Sequence, residues 1–197
     1  MQTHRHSFLG QLLPLLLYVC AIFALPVYAA EPAGTADVIK GAAWAQPVGD
    51  IARKLEKGTL IYQSDVIRTE KDSAVQVVFN DQTKFYLGSN TEMSINKFND
   101  QRGEEGLVTH IFKGTFRFVS GLIAKNKPEA MKVGLAVALI GIRGTNVVGE
   151  ADATSATVIL VEPEDATQKT SIEVSNKYGS VLIDEPGYGT EVPDAHS

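Results

Sequence analysis

The histidines are the first residues that could carry acid–base or nucleophilic chemistry. The chain has four histidines, and two of them, His110 and His196, lie beyond its apolar N-terminal segment. A serine hydrolase would need His110 as its base, but no Gly-x-Ser-x-Gly nucleophile elbow accompanies it. His110 instead lies in an alternating run and shares a face with Val108 and Phe112, which predicts a partly buried strand residue. We therefore expect a non-catalytic protein.

Metal and cofactor sites also lack their usual sequence patterns. A zinc site takes three or four sulfur, imidazole or carboxylate ligands, and the only cysteine, Cys20, lies in the N-terminal apolar segment. The acidic clusters at 104–105 and 162–165 do not have the ligand spacing of a calcium loop. Glycine-rich phosphate loops are absent as well. We expect neither a metal nor a cofactor.

One short motif is more distinctive, the pentapeptide Gly141-Ile142-Arg143-Gly144-Thr145. Its two glycines would allow a positive φ or a close backbone approach on either side of the central pair. Arg143 offers five donors in a fixed fork, and buried polar groups usually find partners inside the protein. We interpret Gly141, Arg143, Gly144 and Thr145 as a structural motif in which Arg143 bonds turn carbonyls. Ligand binding by Arg143 is the alternative.

Aromatic residues give a second set of candidates. Trp44 stands among small residues, where it could cap one end of the core or form a binding platform. Tyr86 and Arg117 alternate with apolar neighbours and are expected on outward faces, so Trp44, Tyr86 and Arg117 form a candidate binding surface. Four phenylalanines of the alternating runs are predicted to lie in the core: Phe85, Phe112, Phe116 and Phe118.

The N-terminal segment has the three parts of a secretory signal. Arg5 precedes an apolar stretch from Leu12 to Leu25, and Val27-Tyr28-Ala29 follows as a cleavage site. This pattern predicts a signal peptide over residues 1–29, cleaved after Ala29 or Ala30, and a periplasmic or secreted product. An uncleaved anchor is the alternative, although a spanning helix needs about 20 apolar residues.

The composition of the remaining chain limits its partners and its architecture. Without the signal no cysteine is left, so an exported product would have no disulfides. Its size allows it to bury about two-thirds of its unfolded surface, and we predict a flexible leader over 30–36 followed by one domain over 37–193. The formal net charge of the full chain is −5, and the loss of Arg5 with the signal makes it more negative, which argues against nucleic acid and against anionic lipid surfaces.

Most of the chain alternates apolar and polar residues with a period of two, which is typical of half-buried strands. Turn signals recur every 8–12 residues, so we predict an all-β domain. The pair Lys113-Gly114 is expected to separate two strands. Thr157–Val161 is continuously apolar or β-branched, which indicates a strand covered on both sides. The best helical candidate, Met131–Ile140, has β-branched residues and two glycines in or beside it, which favour extended structure or a loop.

The order of four segments resembles the FecR-like family, the extracytoplasmic domain of regulators that sense ferric siderophores in an anti-sigma pathway. The segments are Gly58–Leu60 with Asp65–Thr69, Ser73–Asp81, Leu87–Ile95 and Gly141–Thr145. The resemblance spans about 58–149, with a looser match to Val192. It implies a short β-solenoid or roll-like stack of strands, with a β-sandwich as the alternative. The Asp-Gly turn of the family is Asp81-Gln82 here, so we expect that corner to use another backbone conformation.

The resemblance also sets the functional expectation. Signalling members of the family carry a cytoplasmic helical anti-sigma domain and a membrane helix, and we expect neither in this chain. What carries over is the fold and recognition of an envelope protein, within a signalling or transport system. The membrane would be involved only through the export signal. A secreted carbohydrate- or cell-wall-binding module, with Trp44 in its site, is the alternative.

Overall fold

The structure is a computed structural model that describes residues 30–163 and 170–193. The predicted signal peptide and its cleavage site at Ala29 lie outside the described residues. Within the described part, 16 strands form one continuous sheet, so the all-β prediction is confirmed. The strands are β1 (Pro32–Lys40), β2 (Ala43–Pro47), β3 (Arg53–Lys54), β4 (Leu60–Tyr62), β5 (Asp65–Thr69), β6 (Ala74–Phe79), β7 (Lys84–Leu87), β8 (Glu92–Asn99), β9 (Gly106–Val119), β10 (Met131–Leu135), β11 (Leu139–Arg143), β12 (Asn146–Ala151), β13 (Ala156–Val161), β14 (Ser171–Asn176), β15 (Gly179–Ile183) and β16 (Gly189–Val192).

The sheet folds into two halves that share β9. Half A has the order β4-β1-β6-β7-β9-β12-β13-β16, and half B has the order β3-β2-β5-β8-β9-β10-β11-β14-β15. The first part of β9 pairs with β8 and β10, and its second part pairs with β7 and β12. Phe79 of half A stacks on Phe98 of half B at 5.5 Å between ring centroids. The chain passes repeatedly between the halves, either after one strand or after two neighbouring strands, as the chain of a roll does.

Gly114 is the point at which β9 leaves one half and enters the other. Its φ is +101°, and a Cβ at this position would collide with the backbone and hydroxyl of Thr91. Lys113-Gly114 is therefore a bend inside one 14-residue strand, and the predicted break between two strands is wrong. A glycine at a strand bend and a glycine at a turn have the same local chemistry, so the sequence alone does not distinguish them.

The core confirms most of the predicted alternation. Val75, Val77 and Phe79 are buried on β6, and Phe85 contacts Phe79 and Phe118 at 5.8 and 5.3 Å between centroids. Two predictions are wrong. Phe112 is 43% exposed, because it follows buried Ile111 on an alternating strand. Thr157–Val161 is buried on one face only, with Val158 and Leu160 inward and its other residues half-buried.

The first strand begins inside the segment predicted as a flexible leader. Pro32–Lys40 pairs with β4 and β6, and Ala33 and Ala36 are buried. Gly34 lies so close to the backbone of β6 that a Cβ would collide with Val78 and Phe79. The proline and the glycine here suggested a loose segment, but small residues also let two strands approach closely. The leader prediction is therefore wrong from Pro32 onward.

The segment 131–140 is extended, as the glycines and β-branched residues favoured. β10 runs parallel to β9 and antiparallel to β11, and the crossover from β9 to β10 contains a short helix, α1 (Leu122–Asn126), and a 3-10 turn (Pro128–Ala130). A crossover of this kind is what a parallel strand pair requires. The described residues include no helix with the length and apolarity needed to cross a bilayer.

Candidate functional site

The segment Asp65–Thr69 joins neighbouring elements through its inward side chains. Asp65 is fully buried and receives Nη1 and Nη2 of Arg53 at 3.2 and 2.6 Å, while the N–H of Tyr62 donates to its Oδ2 at 2.9 Å. Thr69 donates its hydroxyl to the carbonyl of Gly88 at 2.5 Å and accepts the N–H of Thr91 at 2.8 Å. These partners satisfy the buried polar atoms, so this motif is structural.

The corner at Asp81 is structural too. Asp81 is buried, and its carboxylate accepts the N–H and hydroxyl of Thr83 at 3.0 and 2.8 Å and the N–H of Ile123 at 3.2 Å. Gln82 has a φ of +70°, the left-handed conformation that glycine favours. The expectation that a missing glycine would change this corner is wrong, because the bonds of Asp81 hold the turn in place.

The pentapeptide 141–145 has two parts with different roles. Gly144 has a φ of +60° and leads into Thr145, which is buried. The N–H of Thr145 donates to Ser120 Oγ at 2.7 Å, and the N–H of Ser120 donates to the carbonyl of Thr145 at 2.9 Å. This reciprocal pair fixes the end of β11 to the end of β9.

Arg143 differs from that prediction, because it is exposed at the end of β11. Its backbone belongs to the β11–β14 ladder, opposite Ser171, but its guanidinium makes no hydrogen bond or ion pair with residues 30–163 or 170–193. The reason is strand alternation: Ile140 and Ile142 are buried, so Gly141 and Arg143 face outward. The alternation of Ile140 and Ile142 with Gly141 and Arg143 was the signal in the sequence that could have assigned this orientation.

Arg143 lies at one end of a groove of about 490 Å³ on the outer face of half B. Gly141 forms part of its floor and stands between Lys132 of β10 and Glu173 of β14. Because Gly141 has no side chain, the strands are open to contact at this point. Glu129 also lines the groove, which thus carries two cationic and two anionic side chains.

Tyr86 and Arg117 are neighbours on the outer face of half A. They are cross-strand partners on β7 and β9, and the guanidinium carbon of Arg117 lies 5.5 Å from the ring centroid of Tyr86. The Nε of Arg117 donates to Asn146 Oδ1 at 3.0 Å. The predicted outward orientation of both residues agrees with this geometry, and the pair is held in one arrangement by its cation–π contact.

Trp44 lies on the other half, so the three candidate residues do not form one surface. It is half-buried on β2, between Ala43 and Ala45, which are both fully buried. Trp44 therefore points away from the core, and a role as a core cap is wrong. Its indole N–H donates to Glu70 Oε1 at 3.0 Å.

His110 is half-buried on the outer face of half B and lies 4.6 Å from Phe112 between ring centroids. Burial lowers the pKa of its imidazole. Ser94 is its cross-strand partner, but the Ser94 hydroxyl donates to Asn96 Oδ1 at 3.0 Å. Among the described residues, no three His, Asp or Glu side chains converge to hold a metal. The arrangement presents two solvent-facing sheet surfaces.

Comparison with known proteins agrees with the fold. The family model described as FecR protein matches residues 65–164. A solved structure of a candidate anti-sigma factor from Parabacteroides distasonis is similar with a TM-score of 0.53 and 14% identity. The similarity covers 67% of this chain and 56% of that one, so the chain spans a little over half of that protein's length. At this identity the likeness concerns the fold alone. No curated protein matched the chain.

The matched segment corresponds to β5–β13, and strands from outside it extend both halves at both ends. In half A, β1 pairs with β6 and β16 pairs with β13. In half B, β2 pairs with β5 and β14 pairs with β11. The outermost strands of the described sheet therefore all lie outside the matched segment.

Proposed function

Because the chain belongs to the FecR protein family, we propose that it is a non-catalytic regulatory domain that recognises a protein partner in the cell envelope. Its family supports a role in signalling, and the N-terminal sequence supports export to the periplasm or the exterior. Because no cysteine follows Cys20, such an exported domain would be stabilised by its core and not by disulfides.

The observation that carries this proposal is the position of Arg143. The adjacent Thr145 is fixed by two hydrogen bonds to Ser120, so the backbone that presents Arg143 is held in place. Its guanidinium nevertheless has no hydrogen-bond or salt-bridge partner among the residues described here. Arginine recognises carboxylates through two parallel bonds and is enriched at protein interfaces. A guanidinium on a fixed backbone, without a partner in the described part of the chain, is suited to a partner's acidic side chain.

The groove next to Arg143 supplies the rest of the recognition surface. Leu139 is 39% exposed at one side of it and provides apolar area, while Lys132 and Glu173 flank the open backbone at Gly141. A small apolar patch with charged side chains around it is the usual composition of a protein interface. We assign this face of half B as the recognition surface, in preference to the Tyr86–Arg117 face.

A photocrosslinking amino acid at position 139 tests the assignment in cells that export the chain. We expect an adduct with a discrete envelope protein, and we expect Arg143→Ala to abolish it because the ionic anchor is lost. The same crosslinker at Glu150, exposed on the outer face of half A, serves as the control and should not form that adduct. An adduct that survives Arg143→Ala, or that forms equally from position 150, would contradict the proposal.

A further inference from the structure

Gly141 is a strand glycine that the internal packing does not require. Its φ lies outside the left-handed region, and a Cβ added here would meet Glu173 at 3.8 Å, which is an ordinary contact. Gly134 of β10 differs, because a Cβ there would come within 2.6 Å of the ring of His110. Glycine weakens the interior of a strand, and it often marks a place where a ligand or another chain approaches closely. The missing side chain at 141 therefore points to a use outside the domain.

The backbone at Gly141 lies between two opposite charges. Its cross-strand neighbours are Lys132 on β10 and Glu173 on β14, and both side chains are exposed. Neighbouring strands lie about 4.8 Å apart, so these two residues are roughly 10 Å apart across the glycine. In the part of the chain that the structure describes, no ion pair joins them. The result is a gap with a backbone floor, one cationic wall and one anionic wall.

An aromatic ring is the group whose chemistry matches this gap. A flat ring can lie on backbone that carries no Cβ, as aromatic side chains do beside strand glycines. The ammonium of Lys132 can be placed over the face of such a ring, and the positively polarised edge of the ring suits the carboxylate of Glu173. An aliphatic side chain would shield both charges from water without this compensation.

Arg143 fixes the position of a second group on the same occupant. Gly141 and Arg143 are two residues apart on β11 and face the same side of the sheet, so they are about 6.7 Å apart along the strand. An extended chain that lies along β11 presents its own side chains on one face at the same interval. A carboxylate two positions from the ring would therefore lie beside the guanidinium of Arg143, which prefers carboxylates.

We propose that the groove binds an extended segment of a partner protein in which an aromatic and an acidic residue are separated by one residue. The ring lies on Gly141 and the carboxylate binds Arg143. This inference rests on the proposed function, and it adds the chemistry of the partner. It also makes Gly141 a specificity-determining residue, because any side chain at this position occupies the space of the ring.

A peptide titration followed by amide NMR of the exported protein tests this pairing. The probe is acetyl-Ser-Thr-Phe-Thr-Asp-Thr-Ser-amide, and its two controls carry Leu in place of Phe or Asn in place of Asp. We expect saturable shifts at Gly141 and Arg143, with an upfield ring-current shift of the Gly141 protons. Each control peptide should bind about threefold to tenfold more weakly. No saturable shift at Gly141, or equal affinity for the Phe and Leu peptides, would overturn the proposal.

Gly141→Val tests the role of the missing side chain. It should leave the melting temperature unchanged or raise it, because the Cβ has room and valine is favoured in strands. It should also weaken binding of the Phe peptide at least about tenfold. Gly141→Ala adds the Cβ alone and should weaken binding in the same direction. Gln76→Val, on β6 of half A, is the matched control and should bind the peptide as the parent does. Unchanged binding by both Gly141 variants would overturn the proposal.

The crosslinker at position 139 separates this inference from the proposed function. If the adduct in cells depends on Arg143 and is also lost in Gly141→Val, both stand. If it is lost in Arg143→Ala but persists in Gly141→Val, the recognition surface stands and the aromatic occupant at Gly141 is wrong. If it survives Arg143→Ala, the proposed function fails, and this inference fails with it.

Discussion

The guanidinium of Arg53 forms a two-bonded fork with the carboxylate of Asp65, at 3.2 and 2.6 Å. The two partners differ in burial: the side chain of Asp65 is fully buried, whereas that of Arg53 is 33% exposed. Removal of one partner from a buried ion pair strongly lowers the stability of the fold when the other partner stays charged and shielded from water. The cost should therefore depend on which of the two residues is removed.

We predict that Arg53→Ala lowers the free energy of unfolding by about 3–5 kcal/mol, because it strands a buried carboxylate. Asp65→Ala should cost less, about 1–3 kcal/mol, since Arg53 can turn to solvent and the main loss is the bond to Tyr62. Urea denaturation measures both. Arg68→Ala is the control, because it breaks an exposed pair with Glu92 and should cost less than about 1 kcal/mol. Equal costs for Arg53→Ala and Arg68→Ala would refute this account.

The left-handed conformation of Gln82 leads to a stabilising substitution. A side chain at positive φ costs roughly 1–2 kcal/mol relative to glycine, partly offset by the entropy of glycine in the unfolded chain. We expect Gln82→Gly to stabilise the fold by about 0.5–1 kcal/mol. The matched control is Gln76→Gly on β6, which should destabilise by a similar amount. A loss of stability in Gln82→Gly, seen in thermal melts, would contradict the assigned turn.

Gly114 can be compared with a second glycine of similar backbone conformation. Gly103 has a φ of +93°, close to that of Gly114, but a Cβ at Gly103 would meet nothing within 4 Å. Both Ala substitutions impose backbone strain, and only Gly114→Ala adds a collision with Thr91. We predict a loss above about 3 kcal/mol for Gly114→Ala and of about 1–2 kcal/mol for Gly103→Ala. Similar losses would mean that the bend in β9 is not closely packed.

Arg143 and Ser120 separate the two roles found within the pentapeptide 141–145. Arg143→Ala should change the free energy of unfolding by less than about 0.5 kcal/mol, because the side chain is exposed. Ser120→Ala should cost about 1–3 kcal/mol, since the buried N–H of Thr145 loses its acceptor. Chemical denaturation of the two variants and the parent measures the difference. A marked destabilisation by Arg143→Ala would restore the structural interpretation of Arg143.

His110 should make stability depend on pH. Burial lowers the pKa of its imidazole in the folded state, so the unfolded state binds more protons as the pH falls below about 6.5. The stability that neutral His110 contributes is therefore fully present above the pKa of this imidazole in the unfolded chain. It is lost progressively as the pH decreases toward the lower pKa of the folded state. We expect His110→Gln to show a shallower loss of stability on acidification than the parent. If the stability of His110→Gln and that of the parent changed with pH in parallel, His110 would not be the cause of the pH dependence.

Sequence periodicity predicted the strands well, because burial alternates wherever one face of a sheet meets the core. The buried residues of β6 and β7 illustrate this, and so does the outward direction of half-buried Tyr86 and exposed Arg117. The errors occurred where one residue type has two uses. Gly114 was interpreted as a break between two strands but forms a bend within one strand. Gly34 was interpreted as part of a loose leader but allows two strands to pack closely. Arg143 was assigned from its hydrogen-bonding capacity, whereas the alternation of its isoleucine neighbours decided its direction.

Because both halves share β9, their unfolding is coupled. Neither half can lose its central strand while the other keeps it, so partial opening of one half exposes hydrogen bonds that belong to both. Native-state hydrogen exchange is expected to find the amides of β9 among the slowest, opening only with the whole domain. Binding on the outer surface of one half would then shift the opening equilibrium of the other half, because both halves include the backbone of β9.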